Sequence, residues 1–287
     1  MTATNKKLMS LYGLKWNPFQ PDVPAEALYK RNELASFIFR IENLVMGGGI
    51  AMVTGDPGYG KSVALRQLDQ ELKGLREVSV ARIDRPQSGI SDFYRELGDL
   101  FGVPLGVSNR YGGFQALRKK WRQHIESTLL RPVLLIDEVQ SMPTVVLSEL
   151  RLLVSDEFDS KRILTVVIAG DNRLMDRFKE LDLLPLQRRI RVKLALMALT
   201  DDEMRKMLEH MLTTAGNKQL MTTGVIEAVT SHSAGNPSTM MNTADELLSR
   251  AIIKELGQID EKLFFEMYET PKTRPVKASG ASAGVRR

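Results

Sequence analysis

Short apolar runs alternate with amphipathic stretches between residues 49 and 199 of the chain. The runs are rich in β-branched residues and predict five strands, over residues 49–54, 78–83, 133–137, 163–169 and 190–194. Between them, apolar residues at helical spacing predict helices over 91–101, 114–129 and 144–155. This alternation predicts an α/β fold, in which helices flank a five-stranded parallel sheet on both faces.

The strand signal stops after Leu199, and the remaining pattern is helical. Thr200 is followed by three acidic residues, a sequence typical of a helix N-cap. Further helices are predicted over 201–214, 223–232, 237–256 and 260–269, with methionines 204, 207, 211, 240 and 241 in their shared core. The predicted organisation is a lead-in segment at 1–33, an α/β core at 34–198, a helical lid domain at 199–270 and a disordered basic tail at 271–287.

Composition and charge narrow the range of functions. The 287 residues are 43% hydrophobic and 26% charged, as in an ordinary globular protein, and include no cysteine for a disulfide or a thiol nucleophile. The formal charge is +5, but residues 271–287 hold five Lys or Arg and no acid, so the rest of the chain is balanced. No apolar run is long enough for a membrane span, so we expect a cytoplasmic protein without a membrane partner.

A glycine-rich loop follows the first predicted strand and precedes a predicted helix. It reads G-x-x-x-x-G-K-S, a pattern in which backbone N–H groups and a helix N-terminus surround phosphate oxygens. We predict that Lys61 bridges the β- and γ-phosphates of ATP and that the Ser62 hydroxyl binds Mg²⁺. The predicted nucleotide-binding residues are Gly55, Asp56, Pro57, Gly58, Tyr59, Gly60, Lys61, Ser62 and Val63.

Two adjacent acids end the third predicted strand. Asp137 and Glu138 follow four apolar residues, so both carboxylates are expected at the sheet edge where parallel sheets bind ligands. We predict that Asp137 holds Mg²⁺ with Ser62 and that Glu138 polarises the attacking water as general base. The chain lacks the Asn-Lys-x-Asp motif of GTPases and the Leu-Ser-Gly-Gly motif of transporter ATPases. Adjacent Asp and Glu together with a helical lid favour an AAA+ ATPase.

These motifs resemble one branch of the AAA+ class, which contains the ExeA-like ATPase domain of general secretion pathway protein A and the transposition ATPases TniB and TnsC. The resemblance runs from about residue 10 to residue 260. It is carried by the segments 11–19, 28–29, 54–62, 135–140, 147–153, 186–190 and 233–237, and by Gly170.

The resemblance implies an arginine finger that acts across a subunit interface, and therefore a homo-oligomer, as a ring or a helical filament. Arg188 and Arg189 are the two candidates, although their cluster is equally compatible with a solvated basic edge. The sensor position after the fourth strand is filled by Asp171 or Asn172. Where the family has a lid arginine this chain has Ser238, which implies slow hydrolysis or weak coupling between lid and nucleotide.

The leading hypothesis is an ATPase that assembles on duplex DNA in the presence of ATP and recruits or activates a transposase. It draws on the basic tail, on the expectation of a free-standing ATPase without a membrane anchor, and on the basic residues between the second and third strands. The candidate DNA-backbone contacts are Arg110, in a polar loop, and the cluster of Lys119, Lys120 and Arg122. This cluster equally fits a solvated helix face opposite a buried Trp121. The alternative is an accessory ATPase of a secretion or envelope-assembly system that acts on protein partners.

Overall fold

The computed structural model describes residues 10–83, 86–105 and 110–268. Its main sheet is five-stranded and entirely parallel. The strands are β1 (Gly49–Gly55), β2 (Val78–Ile83), β3 (Arg131–Ile136), β6 (Thr165–Gly170) and β7 (Ile190–Leu196), and a separate hairpin pairs β4 (Ser155–Asp156) with β5 (Lys161–Arg162). The order of strands in the main sheet is β2-β3-β6-β1-β7. The predicted α/β fold is therefore confirmed.

Helices cover both faces of the sheet and build the lid. Those of the α/β core are α1 (Asn32–Gly47), α2 (Lys61–Lys73), α3 (Ile90–Phe101), α4 (Arg110–Ser127), α5 (Thr144–Val154), α6 (Asn172–Arg177) and α7 (Leu184–Gln187). The lid contains α8 (Asp201–Ala215), α9 (Thr223–His232), α10 (Pro237–Ile253) and α11 (Glu261–Tyr268). Each long helix predicted from periodicity is present, with ends that differ by a few residues.

Alternation along the strands divides the core into two layers. Ile50 and Met52 of β1 pack with the helices α3, α4 and α5, whereas Ala51 and Val53 pack with α1 and α2. Successive strand residues point to opposite faces, so a strand covered on both sides is apolar throughout. Trp121 is completely buried in the first layer, as its helical spacing predicts.

The lid has a core of its own, and the lead-in segment packs into it. Tyr12, Leu14 and Phe19 are buried among the lid helices, and the Tyr12 hydroxyl donates to the carbonyl of Leu256 over 2.8 Å. The predicted cap at Thr200 is present as a full capping box with Glu203. Four of the five lid methionines pack in its core as predicted, with Met204 and Met240 buried and Met207 and Met241 partly buried. Met211 is also buried, but it packs with Val23 and Ala27 of the lead-in segment in a separate small cluster. Within the described ranges, no helix has both the length and the apolarity to cross a bilayer.

The β4–β5 hairpin is an element that the hydrophobic pattern did not predict. It occupies residues that precede the fourth strand, which begins at Thr165 and not at residue 163. Its tip is unusual, because Glu157, Phe158 and Asp159 all have positive φ, at 43°, 55° and 70°. Asp156 at its base is buried and bonded by two arginines of α4. Two-residue strands carry too little periodicity to be recognised in a sequence.

Candidate nucleotide site

The glycine-rich loop joins β1 to α2 at the carboxyl edge of the sheet. Gly58 and Gly60 have φ values of 85° and 93°, a backbone conformation that side chains other than glycine rarely adopt. Tyr59 N–H donates to the Asp56 carbonyl over 3.2 Å, which closes a turn before the helix begins at Lys61. The N–H groups at the start of α2 lie at the end of this loop, where an α-helix has unpaired donors and the positive end of its dipole.

Lys61 is held against the loop from which phosphate contacts are expected. Its side chain is buried, and Nζ donates to the carbonyls of Gly55 at 3.0 Å and Asp56 at 3.2 Å. A buried ammonium group needs compensating acceptors, and these two carbonyls provide them. The ammonium group of Lys61 thus lies against the backbone of the loop that is expected to bind phosphate.

The hydroxyl of Ser62 meets the carboxylate of Asp137 at this edge. Ser62 Oγ donates to Asp137 Oδ2 over 2.5 Å, although the two residues are 75 positions apart. The other carboxylate oxygen of Asp137 accepts the N–H of Glu138 at 2.8 Å, which fixes its orientation. A hydroxyl and a carboxylate are hard oxygen donors of the type that Mg²⁺ prefers. The two residues predicted as metal ligands are therefore adjacent, and their chemistry fits the ion.

Glu138 follows Asp137 in a left-handed conformation, with φ 52° and ψ 36°. Its side chain is exposed at the sheet edge, and its carboxylate accepts a hydrogen bond from Gln140 Nε2 over 2.6 Å. Backbone conformations of this kind cost about 1–3 kcal/mol for a residue other than glycine, and they concentrate at functional sites. Gln140 was not among the predicted site residues, because a glutamine two positions after an Asp-Glu pair has no distinctive pattern.

The two sensor candidates have different partners. Asp171 is buried, caps α6 by accepting the Arg173 N–H, and forms an ion pair with the Arg173 guanidinium at 2.6 Å. The hydrogen bonds from Arg173 lower the pKa of the Asp171 carboxyl below its ordinary value. Asn172, by contrast, donates its side-chain amide to the Asp56 carboxylate of the glycine-rich loop. Asn172 is thus the candidate that contacts the predicted phosphate site.

The two arginine-finger candidates also differ. Arg189 forms an ion pair with Asp159 of the hairpin tip and donates to the Pro185 carbonyl at 3.1 Å. Hydrogen bonds from Ser155 and from Arg189 lower the pKa of the Asp159 carboxyl. Arg188 is exposed, and no ion pair within 4.0 Å involves it in the described part of the chain. Both arginines line a surface cavity of about 460 Å³ with Leu181, Leu184 and Pro185.

The lid contacts the glycine-rich loop directly at the start of α10. Asn236 caps this helix and donates its side-chain amide to the Pro57 carbonyl over 3.2 Å, while the Ser238 N–H donates to the Gly58 carbonyl over 3.2 Å. A Cβ at Gly58 would lie 2.4 Å from Asn236 Oδ1, so this approach requires a glycine. Arg31 holds the opposite side of the loop by donating to the Tyr59 carbonyl at 3.3 Å. Neither Asn236 nor Arg31 was predicted as a site residue.

The candidate DNA contacts on α4 have varied surroundings. Arg122 donates from Nε and Nη2 to the buried Asp156 carboxylate at 2.6 and 2.8 Å, and this interaction raises the Arg122 pKa. The same interaction lowers the pKa of Asp156 to about 2. Lys119 is exposed and Lys120 is half-buried. Arg110 begins α4, but its side chain lies outside the described residues, as do the tail residues 271–287.

Three comparisons with known proteins agree with this geometry. Residues 44–178 match the family model of the AAA domain. Over 248 residues the chain is 28% identical to general secretion pathway protein A of Aeromonas hydrophila; the match covers 85% of this chain and 44% of that protein. The chain thus spans less than half the length of that relative.

Solved structures share the fold. Cdc6p of Pyrobaculum aerophilum superimposes with a TM-score of 0.70 at 16% identity, over 84% of this chain and 67% of that one. Aeropyrum pernix ORC1, solved in complex with DNA, superimposes with a TM-score of 0.67 at 16% identity, over 87% of this chain and 67% of that one. The chain therefore has the α/β P-loop NTPase fold in its AAA+ form, and the AAA domain match spans the candidate nucleotide site.

Proposed function

We propose that the protein is an ATP hydrolase that uses Mg²⁺ and works as a homo-oligomer. The observation that carries the proposal is the 2.5 Å contact between Ser62 and Asp137, made at the mouth of a glycine-rich loop that also contains the buried Lys61. This arrangement combines a phosphate cradle, a cation and a hard-oxygen metal site within one edge of the sheet. Together they match the requirements of phosphoryl transfer.

Each residue of the site has a defined role in this proposal. Lys61 exchanges its two carbonyl partners for phosphate oxygens and stabilises the negative charge on the transferring group. Ser62 and Asp137 would hold Mg²⁺, which would neutralise phosphate charge when bound. Glu138 would accept a proton from the attacking water, and the Asn172 side chain, which now donates to Asp56, would be the sensor that contacts the nucleotide.

Completion of the site by a neighbouring copy is part of the proposal. Arg188 is exposed beside an apolar cavity, whereas Arg189 is paired with Asp159. Because no ion pair within 4.0 Å involves Arg188 in the described part of the chain, its guanidinium is available to a phosphate on another subunit. Such a contact raises the hydrolysis rate by about 10³- to 10⁵-fold in related chemistry. We therefore assign the finger to Arg188.

The cellular role is best matched by an accessory ATPase of a secretion or envelope-assembly system that acts on protein partners. The 28% identity to general secretion pathway protein A over most of this chain supports it. The second candidate is an ATPase that assembles on duplex DNA and recruits or activates a transposase. The exposed Lys119 beside Lys120 and the solved DNA complex of ORC1, which has the same fold, favour this candidate.

Nucleotide titration of purified protein tests the ATPase proposal. Lys61→Ala should weaken Mg²⁺-ATP binding about 10- to 100-fold, the value of a charge-assisted hydrogen bond. Glu138→Gln should bind ATP normally and lower kcat by about 10²- to 10⁴-fold. Lys73→Ala is a matched control, since Lys73 lies at the far end of the same helix and pairs with Asp69. Equal affinity of the Lys61 and Lys73 variants would refute the site.

Co-sedimentation with plain duplex DNA separates the two cellular roles. Binding that requires ATP and falls steeply with salt supports the DNA assembly, because the phosphate backbone releases counterions on contact. Substitution of both Lys119 and Lys120 by alanine should then reduce the slope of log K against log salt by about 0.9 per lost contact. If no binding occurs at low salt with ATP present, the protein-partner role remains.

A further inference from the structure

The carboxylate of Glu138, the candidate general base, depends on a second side chain for its orientation. Glu138 is exposed and has the left-handed backbone described above, so neither burial nor helical geometry fixes its carboxylate. The neighbouring Asp137 is different, because Ser62 and the Glu138 N–H hold both of its oxygens. Gln140 Nε2 lies 2.6 Å from Glu138 Oε2 and is the hydrogen-bond donor that the described residues provide to this carboxylate.

Gln140 is itself fixed by the end of a neighbouring strand. Gln140 is only 8% exposed, and its Oε1 accepts a hydrogen bond from the backbone N–H of Asp171 over 3.3 Å. A backbone N–H can only donate, so the amide must turn its oxygen to Asp171 and its nitrogen to Glu138. Gly170 leaves room for this side chain, since a Cβ there would lie 2.9 Å from Gln140 Oε1.

The backbone around Gln140 is anchored from the same direction. Arg177 of α6 donates to the carbonyls of Gln140 at 2.9 Å and Met142 at 2.6 Å, and to the Thr144 hydroxyl at 2.9 Å. The short 3-10 turn over Val139–Ser141 is thus clamped to the helix that follows β6. The same β6–α6 junction contains the two sensor candidates.

We propose that Gln140 is a positioning residue for Glu138, which links the orientation of the general base to the position of the β6–α6 junction. A shift of this junction, where Asn172 contacts Asp56 of the glycine-rich loop, moves the Asp171 N–H that donates to Gln140 and with it the carboxylate of Glu138. The inference rests on the proposed ATPase function. It adds a physical link between the glycine-rich loop and Glu138, the residue that activates water.

Gln140→Met and Gln140→Glu test the proposal. Methionine keeps the length of the side chain without an amide, and glutamate adds a like charge next to Glu138. Both should leave the Kd for Mg²⁺-ATP within twofold and lower kcat by about 10- to 100-fold, because small misplacements of a catalytic group have effects of this size. Gln70→Met, at an exposed position of α2, is the matched control and should leave both constants unchanged.

Two further readouts distinguish positioning from general packing. The Asp171 N–H loses its acceptor in Gln140→Met, so hydrogen exchange at this amide should become faster in the full chain without nucleotide. In a Glu138→Gln background, Gln140→Met should cause no additional loss of rate, since a residue that acts through Glu138 has nothing left to position.

The outcomes are separable. An unchanged kcat in Gln140→Met, or a loss that multiplies with that of Glu138→Gln, overturns the positioning role while the ATPase proposal stands. Unchanged exchange at Asp171 overturns the link to β6. Equal turnover by the wild-type chain and Glu138→Gln overturns both the assigned base and its positioning residue.

Discussion

Gly58 lies where the lid contacts the glycine-rich loop, so Gly58→Ala directly perturbs this contact. The new Cβ would lie 2.4 Å from Asn236 Oδ1 and 2.9 Å from the Ser238 Cβ. Since both distances are far below van der Waals contact, the lid helix α10 must move away. The hydrogen bonds from Asn236 to Pro57 and from Ser238 to Gly58 are then lost.

The loss of folding stability in Gly58→Ala can be estimated from these contacts. A left-handed conformation costs an alanine about 1–2 kcal/mol, partly offset by about 0.4–1 kcal/mol from the reduced freedom of the unfolded chain. Two lost hydrogen bonds add about 1–3 kcal/mol. Gly58→Ala should therefore destabilise the protein by about 2–4 kcal/mol. Gly60→Ala is the matched control, because Gly60 has a similar φ of 93° and nothing lies within 4 Å of the added Cβ.

Urea unfolding of both variants without nucleotide measures the difference. Gly60→Ala should lose about 1 kcal/mol, the net backbone cost alone. Gly58→Ala should lose at least about 1 kcal/mol more. Equal stability of the two variants would refute the contact between lid and loop as an energetic link.

Two further predictions concern the charged groups around the hairpin. Arg188→Ala should hydrolyse ATP poorly by itself and regain hydrolysis when mixed with an excess of the inactive Lys61→Ala variant, whose Arg188 completes the neighbouring site. Arg189→Ala should retain most of its hydrolysis without mixing; the reverse result would place the finger at Arg189. Hydrogen bonds from Arg122 lower the pKa of Asp156 to about 2 from an ordinary 3.8. The charged carboxylate therefore stabilises the fold by about 2 kcal/mol above pH ~4, and this stabilisation is lost as the pH falls towards ~2. Acid unfolding curves of the wild type and Asp156→Asn should converge in that range, and parallel curves would contradict the assignment.

Much of the architecture could be predicted from local pattern. The strands of the sheet are apolar on both faces because helices cover both, and this produces runs that stand out from the amphipathic helices between them. The glycine-rich loop was recognisable because its chemistry is concentrated in eight consecutive positions, Gly55 to Ser62. Asp137 and Glu138 were recognisable because a buried strand ends in two acids. Each of these signals lies within a few residues of the feature that it predicts.

Other predictions had to remain open at the level of sequence. The pattern could not choose between Asp171 and Asn172, or between Arg188 and Arg189, because adjacent polar residues have nearly the same position relative to the predicted elements. Their environments differ only after folding, when Arg173 pairs with Asp171 and the hairpin acid Asp159 pairs with Arg189. In the sequence, Arg122 is likewise one residue of a basic cluster, and only the folded structure places Asp156 beside it.

The sequence by itself determined the layered α/β core, the C-terminal helices and the position of the glycine-rich loop between β1 and α2, since each depends on periodicity or on contiguous residues. Only the tertiary structure decided how these parts are connected. Asn236 meets Pro57 across 179 positions of the chain, and Asp171 meets Gln140 across 31. Such contacts arise from the order of strands in the sheet and the packing of the lid, which bring together residues whose individual types have no pattern of their own.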